Sequence, residues 1–106
     1  MPFEAAYSAE AAASAAKAGL AKKGLHMHYV YLLESDSVPT HRYVGLSSNL
    51  KRRLEAHNSG ESSHTAKYRP WHLATYIAFS NKTKAQAFEQ YLKSGSGHAF
   101  AKRRLW

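Results

Sequence analysis

The feature that most constrains the fold is a pair of strand-like runs separated by a short turn-forming segment. The first run is YVYLL, residues 29–33, and the second is HRYVG, residues 41–45. Both are rich in the β-branched and aromatic residues that favour strands. The intervening residues 34–40 include aspartate, serine and proline, which favour turns. Two strands joined so closely are expected to pair antiparallel, because a parallel pair needs a crossover connection of a dozen or more residues.

A third strand is predicted at WHLATYIAF, residues 71–79, with helices between and after the strands. Residues 47–49, Ser-Ser-Asn, are all suitable N-caps for the first helix. A capping box over 83–86 predicts the start of a second helix, which the Ser-Gly-Ser-Gly sequence at 94–97 would end. A short basic helix is predicted over 98–106. The order β-β-α-β-α-α predicts an α+β fold, in which helices flank a small three-stranded, mostly antiparallel sheet.

Residues 1–26 differ in composition from the rest of the chain. They are rich in alanine, which has the highest helix propensity, and poor in large apolar side chains. We therefore predict a helix over residues 4–18 within a weakly docked appendage, and a single folded domain over 27–106. The total length of 106 residues fits one domain of this kind.

The net charge limits the classes of partner. Lysine and arginine total 15 against 7 acidic residues, which gives a net charge of +8. Such an excess favours a polyanion, either nucleic acid or an anionic membrane surface, although it is also compatible with a basic surface that only aids solubility. No run approaches the ~20 apolar residues of a spanning helix, and the N-terminus lacks the pattern of a signal or transit peptide. We expect a cytoplasmic protein, and the absence of cysteine excludes disulfides and thiolate metal sites.

Four residues are candidates for one polar site. Arg53 and His57 are four residues apart, so they share one face of the first helix. Tyr31 and Tyr43 lie on the two strands of the predicted hairpin and can project towards one end of the sheet, where their hydroxyls could orient water or phosphate. The alternatives are a solvated basic helical face for the first pair and simple packing for the two tyrosines.

Glu89 is a candidate metal ligand on the second helix. A carboxylate is the hard oxygen ligand that Mg²⁺ prefers, and one or two suffice when phosphate and water fill the other positions. The alternative is an i,i+4 ion pair with Lys93, which the spacing fits equally well. A histidine-based metal hydrolase is a further alternative, since His26 and His28 would lie on the same side of a strand.

The order and spacing of several short motifs resemble the GIY-YIG nuclease superfamily. The matching residues are Tyr29-Val30-Tyr31, Tyr43-Val44-Gly45, Asn49-Leu50, Arg53, His57-Asn58 and Glu89. The resemblance is closest to small stand-alone bacterial members related to the N-terminal nuclease domain of an excinuclease. The segments HTAKYRPWHL and AFEQYLKSGSG are also similar to that subgroup, and the resemblance extends over residues 28 to about 100.

The resemblance implies a metal-dependent endonuclease that acts on DNA, in the repair or processing of branched or single-stranded DNA. It implies catalytic roles for Tyr31, Tyr43, Arg53 and His57, and one Mg²⁺ or Mn²⁺ ion held by Glu89. With this chemistry, the residues expected to contact nucleic acid are Lys51, Arg52, Asn58, Lys67, Arg69 and Lys93. The sequence makes no prediction about oligomeric state.

Two departures from the family pattern affect the implied mechanism. The first motif reads YVY and lacks glycine, and Leu46 stands where the excinuclease domain tends to have lysine. A cation that would activate Tyr43 is therefore missing from this position, and Lys67, Arg69 or His57 are the candidates to replace it. A nucleic-acid-binding module that keeps the fold without catalysis is the alternative function.

Overall fold

The computed structural model describes residues 26–106. The helix predicted over residues 4–18, and almost all of the predicted appendage, lie outside the described residues. Within residues 26–106, no helix combines the length and apolar character needed to cross a membrane.

Three strands form one sheet, and helices pack on both of its faces. The elements in chain order are β1 (His28–Ser35), β2 (Arg42–Ser47), α1 (Leu50–Ser59), α2 (Ser63–Ala66), β3 (Trp71–Phe79), α3 (Lys82–Leu92) and α4 (Gly95–Arg104). The strand order is β2-β1-β3, and both strand pairs are antiparallel. The predicted α+β fold with its hairpin is confirmed, and the sheet is antiparallel throughout.

The central strand β1 is buried on both sides. Val30 and Leu32 point to one face, where they pack against buried residues of α3 and α4. Tyr31 and Leu33 point to the opposite face, towards α1 and the start of β3. All four side chains are at most 1% exposed. The continuous apolar run of this strand follows from its position, because a strand buried on both faces has no polar side.

The start of α3 differs from the prediction. The capping box predicted over 83–86 is wrong, because Asn81 is the N-cap and its side-chain oxygen accepts a hydrogen bond from the Lys84 backbone N–H at 2.9 Å. Asparagine is among the strongest N-cap residues, and here it precedes the threonine in the chain. The helix therefore begins at Lys82.

Helix α3 ends at Leu92, just before the Ser-Gly-Ser-Gly sequence at 94–97, as predicted. Helix α4 begins before the predicted position 98, because Ser94 is its N-cap and accepts a hydrogen bond from the Gly97 N–H at 3.2 Å. The two glycines lie within the first turn of α4. The short helix α2 lies in a segment that the sequence predicted to be a polar loop.

Gly97 allows α4 to approach α3 closely. Gly97 is buried, and a Cβ atom added there would collide with the backbone carbonyl of Tyr91 in α3. A Cβ atom added at Gly95, two residues earlier, would meet no atom within 4 Å. The two glycines of one helical turn therefore have different roles, and only the second is required by packing.

We expect Gly97→Ala to lower the free energy of unfolding by at least the ~1–3 kcal/mol typical of overpacking, because backbone atoms in its way cannot rotate aside. Gly95→Ala is the matched control, and it should leave stability unchanged or raise it by up to about 1 kcal/mol. Urea denaturation followed by circular dichroism measures both. Equal stability of the two variants would contradict this account of the α3–α4 contact.

Candidate active site

A solvent-open cleft of about 480 Å³ lies beside the edge strand β2. Its lining residues are Tyr31, Tyr43, Gly45, Leu46, Arg53, Gln86, Glu89 and Gln90. Four of the five predicted catalytic and metal-binding residues are in this set, and they come from β1, β2, α1 and α3. The fifth, His57, lies beside both tyrosine rings, with centroid distances of 5.9 Å and 4.9 Å.

Gly45 lets the Tyr31 side chain lie across β2. The two residues are direct cross-strand partners in the sheet. A Cβ atom added at Gly45 would collide with the Tyr31 ring and its hydroxyl. The glycine of the YVG motif is therefore required by the close approach of an aromatic ring.

A buried chain of hydrogen bonds runs from the cleft to α2. The Tyr31 hydroxyl lies 3.0 Å from His57 Nε2, and His57 Nδ1 lies 2.8 Å from Thr65 Oγ1. Tyr31, His57 and Thr65 are only 1%, 2% and 1% exposed. Buried polar groups destabilise the folded state unless they are hydrogen-bonded. These two hydrogen bonds give each of the three buried side chains a partner.

Burial and nearby charges shift the pKa values of the two titratable groups in this series of hydrogen bonds, Tyr31 and His57. Burial raises the pKa of Tyr31 above its ordinary value, and the neighbouring Tyr43 adds to this effect. The Arg53 guanidinium opposes the rise by its charge and by hydrogen bonding. Burial lowers the pKa of His57, and the positive charge of Arg53 lowers it further. At neutral pH Tyr31 is therefore protonated and His57 is uncharged.

Tyr43 and Arg53 are shared with a second cleft of about 620 Å³. This cleft runs along the N-terminal half of α1 and towards α2, and its lining residues are Tyr43, Ser47, Ser48, Asn49, Arg52, Arg53, Ala56, His57, Glu61 and Ser62. Tyr43 is half-buried and more accessible than Tyr31. The two clefts together form a continuous polar surface, with these two residues at the boundary.

Glu89 both lines the first cleft and pairs with Lys93. Its Oε2 lies 2.5 Å from Lys93 Nζ, so the i,i+4 ion pair offered as the alternative is present. The Glu89 side chain is 16% exposed and that of Lys93 is 52% exposed. Glu89 is therefore mostly enclosed by the protein, whereas half of the Lys93 side chain is exposed to solvent.

The donors in the cleft fit a weakly held divalent cation. Within residues 26–106 no group of three or more histidine, aspartate or glutamate side chains is placed to hold a metal. The cleft offers one carboxylate, Glu89, and two further residues that line it, Gln86 and Gln90, have side-chain amide groups. Oxygen donors built around a single carboxylate suit Mg²⁺, which keeps several waters and relies on substrate phosphate for further ligands.

The predicted nucleic-acid contacts on α1 differ in their surroundings. Lys51 and Arg52 are exposed, and Arg52 lines the second cleft beside Arg53. Asn58 is engaged within the protein, because its amide oxygen accepts from the Trp71 N–H at 2.6 Å and its amide nitrogen donates to the Trp71 carbonyl at 3.0 Å. A nucleic-acid contact at Asn58 stays a prediction, and its amide meanwhile holds the start of β3 against α1.

The three residues predicted to replace the missing cation beside Tyr43 differ in where they lie in the structure. Leu46 lines the cleft without a charge. Lys67 lies over the ring of the following tyrosine, 5.5 Å from its centroid, and Arg69 lies against the glycine that ends α1. Of the three candidates, His57 is the one in ring contact with Tyr43.

Sequence reasoning missed the role of Thr65. The residue lies in the segment HTAKYRPWHL, whose only signal in the sequence is its resemblance to the family. Its burial depends on Trp71, whose indole Nε1 donates to the Thr65 carbonyl at 2.9 Å. No local pattern in the sequence indicates that its hydroxyl reaches His57.

The chain is similar to a known protein family over most of its length. Residues 27–103 match the profile of the GIY-YIG catalytic domain. A relative described as a structure-specific endonuclease subunit SLX1 homolog, from Drosophila mojavensis, is 44% identical over 79 residues. That match covers 66% of this chain and 26% of the relative, so the chain spans about a quarter of the length of that protein.

Two shorter relatives are similar over most of their length. The UPF0213 protein CPE1444 of Clostridium perfringens is 37% identical over 68 residues, covering 63% of this chain and 71% of that protein. The solution NMR structure of the UPF0213 protein BH0048 of Bacillus halodurans is 28% identical, with a TM-score of 0.45. It covers 74% of this chain and 85% of the other.

We expect Gly45→Ala to displace the Tyr31 ring, because the added methyl group would occupy the position of that ring. The free energy of unfolding should fall by about 1–3 kcal/mol, as is typical of overpacking in a tightly packed site. Urea denaturation measures the loss, and the imidazole NMR signals of His57 report whether its bond to Tyr31 survives. Unchanged stability and unchanged His57 signals would contradict the prediction, because they would show that the Tyr31 ring can accommodate the added methyl group.

The lowered pKa of His57 makes stability depend on pH. Below about pH 6.5 the unfolded chain protonates this histidine while the folded chain resists protonation, so the unfolded state binds more protons. Stability should therefore fall as the pH is lowered from 7 to 5, and His57→Gln should remove part of that fall. The control is His98→Gln, at an exposed position on α4. The measurement is urea denaturation at several pH values, and identical pH profiles for all three proteins would contradict the prediction.

Proposed function

The chain belongs to the GIY-YIG catalytic domain family, and from this premise we propose that it is an endonuclease that hydrolyses phosphodiester bonds in DNA. Hydrolysis would depend on one divalent cation, Mg²⁺ or Mn²⁺, held at Glu89. The observation that best supports the proposal is that Tyr31, Tyr43, Arg53 and Glu89, from four separate elements, line one cleft. Together they offer the groups that phosphodiester hydrolysis needs.

Arg53 is assigned to the phosphate. Its guanidinium lies at the boundary of the two clefts and can donate two parallel hydrogen bonds to phosphate oxygens. In the transition state charge grows on those oxygens, and a fixed planar donor stabilises it. A lysine at this position would keep the charge but lose the fork geometry.

The two tyrosines have different parts in the proposed mechanism. Tyr43 is the more accessible, and its hydroxyl is assigned to orient the attacking water. Tyr31 is fully buried, and its raised pKa makes it a poor base, so it is assigned to hold the hydrogen-bond network in place. His57 contacts both rings and is uncharged at neutral pH, so it is able to accept a proton.

Glu89 is assigned to hold the divalent cation. When bound there, such a cation would act as a Lewis acid towards the scissile phosphate and the leaving oxygen. Lys93 is half-exposed and is able to turn from Glu89 to a phosphate of the DNA. This exchange of partners would reconcile the ion pair with both predicted roles, metal binding by Glu89 and nucleic-acid contact by Lys93.

The charge of the protein and the names of its relatives support the proposed substrate class. A basic surface with several exposed cations on α1 favours binding to phosphates without base-specific contacts. The SLX1 homologues are named as structure-specific endonuclease subunits. We therefore assign this chain to cleavage at branches or single-stranded segments of DNA, in repair or processing.

The proposal is tested by a cleavage panel at fixed salt with Mg²⁺, Mn²⁺ or chelator. The substrates are supercoiled plasmid, duplex, branched and single-stranded DNA, and an RNA of matched sequence. Glu89→Gln and Arg53→Lys should each lower the rate by roughly 10²–10³-fold, the loss typical of removing one transition-state contact. The control is Glu55→Gln, which changes an exposed carboxylate on the same helix as Arg53 and should cut at the parental rate.

Two results would overturn the proposal in different ways. Parental cutting by both Glu89→Gln and Arg53→Lys would show that the site assignment is wrong. Tight binding of branched DNA without cleavage under either metal would replace the nuclease with a nucleic-acid-binding module of the same fold. Cleavage of RNA alone would change the substrate class and leave the site assignment in place.

A further inference from the structure

We propose that Thr65 is a positioning residue that fixes the tautomer of His57 and, through it, the direction of the Tyr31 hydroxyl in the cleft. The role in catalysis rests on the proposed nuclease function, whereas the tautomer itself does not. Thr65 does not line either of the two clefts. It acts on the site indirectly, through its hydrogen bond to His57.

The assignment of the tautomer follows from what each atom is able to donate. The Tyr31 hydroxyl keeps its proton, and Arg53 beside it offers donors only. Within residues 26–106, the one side chain in hydrogen-bond contact with this hydroxyl that offers a lone pair is His57, whose Nε2 lies 3.0 Å away, so we assign the tyrosine proton to Nε2 as the acceptor. In an uncharged imidazole the remaining hydrogen is then on Nδ1, which donates to Thr65 Oγ1 at 2.8 Å.

The Thr65 hydroxyl is set up to accept this hydrogen bond. Its Oγ1 also lies 3.5 Å from the carbonyl of Ser62, a longer contact to which its own hydrogen can be directed, so that a lone pair is left for His57. The position of Thr65 is fixed in turn by the Trp71 indole, which donates to the Thr65 carbonyl at 2.9 Å. Both Thr65 and His57 are at most 2% exposed, so water is not available to replace either partner.

The consequence for the cleft concerns the lone pairs of the Tyr31 oxygen. While Nε2 accepts the tyrosine proton, these lone pairs face Arg53 and the cleft. If His57 adopted the other tautomer, Nε2 would donate instead, and the tyrosine proton would have to turn towards the guanidinium or the cleft. Such a change would misalign the groups that surround the reacting phosphate without removing any of them.

The test compares three variants with the parent protein. Thr65→Val removes the hydroxyl at nearly constant volume, and Thr65→Ser keeps a hydroxyl. The matched control is Thr75→Val, at a part-buried threonine in β3 whose hydroxyl donates to the Leu105 carbonyl at 2.5 Å.

Two readouts are measured on each variant: the His57 tautomer from ¹⁵N NMR of the imidazole, and kcat and KM on the best substrate of the cleavage panel. Thermal unfolding establishes that each variant is folded, and Thr65→Ala replaces Thr65→Val if the latter is not.

We expect the parent, Thr65→Ser and Thr75→Val to carry the His57 hydrogen on Nδ1, and Thr65→Val to lose this preference. We expect Thr65→Val to lower kcat by about tenfold or more with little change in KM, a loss comparable to that found for outer-shell partners of metal-ligating histidines. An unchanged tautomer in Thr65→Val would overturn the inference, whether or not the parent cuts DNA. A changed tautomer with parental kcat would overturn the positioning role. Absence of cleavage by the parent would count against the proposed function alone, because the tautomer is measured without substrate.

Discussion

The double-sided burial of β1 is the constraint on which the rest of the structure depends. One strand supplies Val30 and Leu32 to the core under α3 and α4, and Tyr31 and Leu33 to the core under α1. Because side chains alternate along a strand, a shift of register by one residue would exchange the two cores. The same strand therefore joins the two helical layers and fixes where the Tyr31 ring lies. The position of the site is a direct consequence of how the core is divided.

The site itself is held by polar contacts between three consecutive elements of the chain. Asn58 binds the backbone of Trp71, Trp71 binds the carbonyl of Thr65, and Thr65 binds His57, which precedes Asn58 on α1. These bonds close a ring that joins the end of α1, helix α2 and the start of β3. Apolar packing alone would place these elements only approximately, whereas hydrogen bonds between buried groups fix their orientation. The hydroxyl of Tyr31 is attached to this ring through His57.

Much of the fold could be predicted because its signals are local. The runs at 29–33, 41–45 and 71–79 have strong strand propensity, and the close spacing of the first two predicts their antiparallel pairing. The helix starts were less predictable, since neighbouring polar residues compete to cap the same N–H groups. Asn81 prevails over the predicted capping box, and Ser94 caps a helix that begins at Gly95, before the predicted start at 98.

The site was predictable to the extent that its residues carry a family pattern. That pattern identified Tyr31, Tyr43, Arg53 and Glu89, and they line one cleft. The sequence offered an ion pair and a metal ligand as alternatives for Glu89, yet the ion pair is present and the carboxylate still faces the cleft. Thr65 was not predictable, because its importance comes from burial and from tertiary partners that no spacing rule encodes.

The ring of polar contacts has a consequence for the dynamics of the protein. Helix α2 is only four residues long, and Thr65 is its one buried residue. Since Thr65 is bonded both to Trp71 and to His57, opening of α2 would break both bonds and let water reach the imidazole. We infer that this corner behaves as one cooperative unit, which opens at a lower free energy than the sheet. The chemistry of the cleft would then be lost by a local fluctuation, while the three strands remain paired.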